Sequence, residues 1–446
     1  MRKLISLVIC AAGFTLCAAG ETYDLSQMLD SARRHNIVLR TARYDVEAAQ
    51  QQRKEAFTKY FPTVSATGMW FDTNKGMASM KIDPSQVISP ELGMALAQSF
   101  PPELLAGLAN PIDVRMMKNG TIASVMAVQP VFAGGQIVNG NRLARVGEDV
   151  SRLQLQLKDD EVEKTTEQYF WQLASLQEKM KTVEAAEALL QGIGKDVEVA
   201  LKAGVILRND LLQVQLRQNE VASQKLKLQN GISLMRMLLS QYCGLRDTTF
   251  SITYNAETLP PMALRQNHDL AVLNTTEYQL LGKQVEATAL QEKMAVGKNL
   301  PTVAVGAGYN YHNVLDNNHS FAMVFATVSI PISDWWGGSH AISRSKIAHR
   351  KAQEQLADNT QLLMIRMQNA WNGVEEAYNQ LQLAELSIEQ ASENLRLNRD
   401  FYNAGTSKMS DLLEAQLLYQ QACDRRTDAF VDYQNKLLEY RQAVGQ

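Results

Sequence analysis

Apolar and polar positions alternate along this chain in two regimes. In the first, apolar residues recur at spacings of four and three. From Leu363 the series runs unbroken through Met367, Ala370, Val374, Ala377, Leu381, Ala384, Ile388, Ala391, Leu395, Asn398 and Tyr402. Such a repeat is the seam of a coiled-coil helix, and the many alanines on it let neighbouring helices approach closely. A rougher seam passes through Tyr169, Leu173, Leu176, Met180, Val183, Leu190, Val197 and Leu201, broken at Glu187 and Gly194. These stripes predict core packing and carry no chemistry.

In the second regime the period falls to two. Val303, Val305, Ala307, Tyr309 and Tyr311 alternate with Thr302, Ala304, Gly306, Gly308 and Asn310. Phe321, Met323 and Phe325 alternate with Ala322, Val324 and Ala326, and Thr63, Ser65 and Thr67 with Val64, Ala66, Gly68 and Trp70. These are strands with one apolar and one small or polar face. Their length, about ten residues each, suits a transmembrane barrel.

The two regimes recur in order. Phe61-Pro62-Thr63-Val64 matches Leu300-Pro301-Thr302-Val303, and Gly134-Gly135 matches Gly337-Gly338, the latter after a Trp335-Trp336 excursion. Ala203-Gly204 followed by Asp210-Leu211-Leu212 matches Ala404-Gly405 followed by Asp411-Leu412-Leu413. Each of these last pairs reads as a helix stop and a helix start. The Gly takes the left-handed turn, and the Asp heads an Asp-x-x-Gln or Asp-x-x-Glu box as the expected cap of the next helix. No proline falls between Pro130 and Pro260 or after Pro331, and Pro130 to Gly204 spans as many residues as Pro331 to Gly405. Two arms of equal length are therefore expected, about 65 helical residues or roughly 100 Å each.

The expected organisation is a signal peptide at 1–20, a first repeat at 21–259 with its tip near 204–210, and a second at 260–446 with its tip near 405–411. The signal peptide is read from Arg2 and Lys3, the apolar run Leu4 to Leu16, and the small residues Ala18, Ala19 and Gly20. The first repeat holds a long outer loop, 72–120, in which Lys75–Asn119 is Met- and Pro-containing and shows no sustained period. The fold class is mainly α with a transmembrane β part, each half a helix, two strands and a long helical hairpin. Four strands cannot close, and an open edge cannot face lipid. Chains must then pool strands; three chains would supply twelve, and a lumen needs more than eight.

Composition narrows the function classes. The chain is 46% hydrophobic and 20% charged with a net charge of −3, which fits neither a disordered tail nor a nucleic-acid binder. Cys243 and Cys423, the two cysteines beyond the signal, make no disulfide framework. No catalytic constellation is present and no cofactor or metal is expected. The six histidines lack metal-ligand spacing, although His312 and His319 share one outer loop, and the methionines of the long loop read as flexible apolar lining.

On the duplicated layout, the Pro-Thr-Val entries, the Pro-x-x-x-Gly-Gly exits and the paired Gly-x-x-x-x-x-Asp-Leu-Leu tips, the chain resembles the TolC-like outer-membrane efflux protein family. The resemblance covers essentially the whole chain after the signal. It implies a homotrimer whose shared twelve-stranded barrel sits in the outer membrane of a Gram-negative bacterium, among its lipid, and continues into the periplasm as an α-helical coiled-coil barrel. The implied function is a passive, gated exit duct, not an enzyme, working with a periplasmic adaptor and an inner-membrane pump. Asp411 and Glu414 match the family's constriction ring. Tyr402, Asn209 and Asp210 match positions that tie tips together. Gly204, Leu211, Leu212, Gly405, Leu412 and Leu413 resemble the surface that adaptors grip. Ser407 stands where relatives often carry a basic residue. Capping accounts for Asp411 and Glu414 as well, and plain packing for Tyr402. The rival reading is a periplasmic coiled-coil scaffold or adaptor without a pore, which would show one hairpin flanked by β-rich modules.

Overall fold

The computed structural model describes residues 22–83, 88–99, 101, 112–255, 259–314, 318–332 and 334–446. The expected signal peptide, 1–20, lies outside them. In chain order the elements are β1 (Thr22–Tyr23), α1 (Leu25–His35), α2 (Ile37–Thr58), β2 (Thr63–Asp72), β3 (Ala78–Ile82), α3 (Pro90–Ser99), β4 (Ile112–Met116) and β5 (Asn119–Ala133). There follow α4 (Gln136–Lys202), α5 (Arg208–Cys243), β6 (Ser251–Ile252), α6 (His268–Asn274), α7 (Thr276–Lys298), β7 (Thr302–Asn313), β8 (Asn318–Ser329), α8 (Asp334–Asn403) and α9 (Met409–Ala443).

The long arms are α4 and α8, of 67 and 70 residues, so each spans roughly 100 Å. Their return helices, α5 and α9, have only 36 and 35 residues. Helix α5 stops at Gly244, whose left-handed backbone (φ 68°) lies so close to the His35 side chain that a Cβ would be 2.4 Å from it. Shorter helices run beside the remaining stretch of each arm. Arg53 of α2 pairs with Glu148 of α4 at 2.8 Å, and Thr288 of α7 meets His349 of α8 at 3.2 Å.

The chain forms two compact units. Among the described residues, one comprises 22–48, Asp149–Gln284 and Gln353–Gln446; the other comprises Ala49–Glu148 and Val285–Ala352. In the first unit the seams become core. Leu363, Met367, Val374, Ala377, Leu381 and Ala384 are buried on α8, and Leu173, Val183, Leu190 and Val197 on α4. The two breaks in the α4 seam have structural explanations. Glu187 pairs with Lys225 of α5 at 2.7 Å. Gly194 leaves room for Val214 and Gln218 of α5, and a Cβ there would stand 2.8 Å from the Gln218 amide. Cys243 is buried and Cys423 partly so, and both are free thiols. Burial pushes the Cys243 thiol up to about 12.

In the second unit β2, β5, β7 and β8 form one antiparallel sheet in the order β2-β5-β7-β8. Two glycines fix the exit from β5. Gly134 and Gly135 have φ of 57° and 74°, and a Cβ on Gly134 would lie 2.0 Å from the Gly297 carbonyl oxygen. Gly337 and Gly338 behave differently. They lie inside α8, which begins at Asp334, so Trp335 and Trp336 belong to its first turn and not to an excursion before it. Gly338 is there for contact, since a Cβ would meet the Asn299 side chain at 1.7 Å.

The faces of β8 also differ from expectation. Register pairs Gly306 with Phe325, Gly308 with Met323 and Asn310 with Phe321. The large β8 side chains thus share the small, polar face of β7, and a Cβ on Gly306 would run into the Phe325 ring at 2.4 Å. Rings filling the space over glycines stabilise both strands. The opposite face carries Val64 and Trp70 of β2, Val125 of β5, Val305 and Tyr309 of β7, and Val324 and Val328 of β8, all exposed. The 72–120 segment is not irregular throughout. Its stem continues beyond β2 and β5 through Thr73 N–H to the Lys118 carbonyl, then as a β3–β4 ladder, and it contains α3.

Candidate functional site

Each long arm ends in the same chemistry. The Gly204 N–H donates to the Leu201 carbonyl and Val205 to Ala200; the Gly405 N–H donates to Tyr402 and Thr406 to Phe401. With φ of 74° and 72° at the two glycines, both ends are Schellman turns that satisfy the last carbonyls of the helix. The next helices start earlier than the Asp-box reading placed them. Their caps are Leu207 and Lys408, and Asp210 and Asp411 stand three residues in. Each Asp reaches back to the cap's own N–H, at 3.3 Å in both copies. The carboxylates therefore form the returning limb of a capping box, and Gln213 and Glu414 take no part in it.

The copies diverge in how they bind that carboxylate. Asp411 also accepts from the hydroxyls of Ser407 (3.1 Å) and Ser410 (3.0 Å). The Lys408 amide and these hydroxyls hold its carboxyl below the usual range, so it is ionised and exposed at neutral pH. Glu414, one turn further along, is exposed on the same helix. Asn209 is exposed and Asp210 half-buried.

Beneath the tips all four helices meet. Val197 of α4, Val214 of α5, and Met409 and Leu412 of α9 are buried together, with Leu211, Leu413 and Tyr402 packed against them. Tyr402 is thus a packing residue. Burial raises its phenol pKa, helped by the neighbouring carboxylates of Asp210 and Asp196. The matching leucines are not equivalent: Leu212 is 45% exposed while Leu412 is 2% exposed. Gly204 and Gly405 are exposed with open space around them, and Val205 and Leu207 are more exposed than any of the predicted grip leucines.

One feature of this region escaped sequence reasoning. Arg217 of α5, nearly buried, donates to Gln416 Oε1 (3.2 Å) and Gln420 Oε1 (3.0 Å) of α9, and Gln420 donates on to Gln224 Oε1 (2.8 Å). Both α9 glutamines are buried. The network joins the return helices of the two hairpins. Only the four-residue spacing of Gln416 and Gln420 on a seam hinted at it.

The sequence profile of the outer membrane efflux protein family matches residues 259–446. By fold the chain is similar to the CmeC outer membrane channel of Campylobacter jejuni, at 13% identity over 94% of this chain and 85% of that one, TM-score 0.73. It is similar to the outer membrane protein VceC of Vibrio cholerae, at 14% identity over 94% and 96%, TM-score 0.72. It also resembles the open state of the MtrE outer membrane channel of Neisseria gonorrhoeae, at 13% identity over 94% and 88%, TM-score 0.70. No curated protein matches it by sequence. Residues 259–446 thus carry the profile of the outer membrane efflux protein family, and the chain shares the fold of these outer membrane channels over nearly its whole length. Among the described residues no helix is long and apolar enough to cross a membrane.

Proposed function

We propose that this chain is the outer-membrane duct of a tripartite efflux or export system, assembled as a homotrimer. The observation that carries the proposal is the sheet β2-β5-β7-β8. Its outer strands β2 and β8 are exposed nearly throughout, and one face presents Val64, Trp70, Val125, Tyr309, Val324 and Val328. Unpaired edges and an uncovered apolar face are unstable in water, and in lipid the edges must be paired. Pairing β8 of one copy with β2 of the next answers both demands, and three copies close a twelve-stranded barrel. The face with Thr63, Ser65, Thr67 and Asn310 then lines the lumen.

In this reading 21–259 and 260–446 are the two repeats that remain after a signal peptide at 1–20 is removed. The long hairpins form the periplasmic coiled-coil barrel, and Asp411 and Glu414 ring its constriction. Tyr402, Asn209 and Asp210 hold the tips in register, and the adaptor of the inner-membrane pump grips the surface around Gly204, Leu211, Leu212, Gly405 and Leu413. Leu412 supports that surface from beneath. Conduction is passive and the pump supplies the energy. The pore-free scaffold is disfavoured by the presence of two hairpins that alternate along the chain with amphipathic strands. Fractionation tests the reading: trimers in outer-membrane extracts that fall apart only on heating are expected, and soluble periplasmic protein would refute it.

A further inference from the structure

The β7–β8 hairpin ends in a pair of histidines that the register sets face to face. His312 stands directly opposite His319, with ring centres 5.3 Å apart and ring planes at 45°. Two clasps on the other face of the hairpin fix this register: Tyr309 donates to Ser320 Oγ at 2.9 Å and Tyr311 to Asn318 Oδ1 at 3.0 Å. Phe321 closes one side, 6.3 Å from the His312 ring and 5.9 Å from that of His319. His312 Nδ1 is buried without a hydrogen-bond partner, and so is Nδ2 of Asn310, two residues along on the same face. A buried imidazole nitrogen without a partner calls for an explanation.

We propose that His312 and His319 together bind a divalent cation of the zinc class. Neutral imidazole is the ligand such ions prefer. With a metal–nitrogen bond of about 2.0 Å and roughly 1.1 Å from ring nitrogen to ring centre, two imidazoles on one tetrahedral ion have centres about 5.1 Å apart. The observed separation meets that requirement with little movement of either strand. Water completes the coordination, and the free Asn310 amide donates to it. The site belongs to one hairpin of one chain and does not depend on the duct reading.

The test uses the purified full-length protein in detergent. Calorimetric titration with Zn2+ should give one ion per chain, with Mg2+ giving none. His312→Gln and His319→Gln should each weaken binding roughly a hundredfold, because the second imidazole acts at a high effective concentration. Co2+ should give the strong visible absorption of a tetrahedral ion, lost in both variants. Saturable Zn2+ binding that survives in the double variant, or Co2+ showing only the weak spectrum of an octahedral ion, would overturn the proposal. If a variant fails to fold, the wild type still decides. Zn2+ should protect His312 and His319, and not His35 or His340, from acylation by diethylpyrocarbonate, and equal labelling with and without Zn2+ refutes the site.

Discussion

Replacing Arg217 with Ala should loosen the grip between the two hairpins without unfolding either. The side chain is only 14% exposed, and its bonds to Gln416 and Gln420 come from a charged donor. Such bonds contribute about 1.5–3 kcal/mol each. Gln416 Oε1 loses its donor, while Gln420 Oε1 keeps only a long contact from Gln416 Nε2 at 3.5 Å. A local loss of about 3 kcal/mol follows, which is more than a hundredfold in an opening equilibrium. Native-state hydrogen exchange at the amides of residues 409–420 should report it as protection lower by that factor. Arg217→Lys, with no planar fork, should keep about half of the effect. The control is Arg396→Ala, whose partners Glu393 and Asp400 are both more than half exposed, so that water screens the pair and protection should stay near that of the wild type. Protection in Arg217→Ala within threefold of wild type would refute the view that this network couples the hairpins.

Gly134→Ala and Gly135→Ala make a matched pair. Both positions have positive φ, but only Gly134 lies against backbone, at Gly297. Chemical denaturation should show a loss of about 1 kcal/mol at Gly135 and a further 1–3 kcal/mol at Gly134, and equal losses would mean the close approach does not matter. The double variant Asp411→Asn with Glu414→Gln keeps shape and removes charge. In planar bilayers it should lose cation selectivity, and unchanged selectivity would leave Asp411 with its helix-start bonds alone. Burial, then the charges of Asp159, Glu163 and Glu277, raises Asp160 to about 6. Its contribution to stability is therefore full below its ordinary value of about 3.8 and is lost as pH rises through 6. Asp160→Asn should flatten that part of the stability profile between pH 4 and 7 in thermal melts, and an unchanged slope there rules out Asp160 as its source.

Much of the architecture was legible in the sequence because its signals are periodic. A four-three seam and the absence of proline fix a long helix whatever its neighbours, and both arms came out within a few residues of expectation. What depended on a partner strand or helix was not legible. The orientation of β8 is set by pairing with β7, and Phe325 is drawn to the side of Gly306 by the space that glycine leaves. The same register creates the His312–His319 pair, which no spacing within one strand reveals. At the tips the sequence marks each Asp as a helix-start residue, yet the helix begins three positions before it. Leu207 and Lys408 have no capping side chain to mark the true start. Leu212 and Leu412 read alike in sequence and differ in burial, because Leu412 packs beneath the crossing of four helices.

The two bare edges, β2 and β8, also bear on inheritance. If only sister chains can cover them, a defective copy with intact edges does not stay apart from sound ones. It is built into the same walls, and each wall it enters inherits the defect. Lesions at the tips, far along the chain from these strands, should then be dominant when co-expressed with the wild type. Lesions that spoil an edge should be recessive, because such a chain excludes itself from assembly.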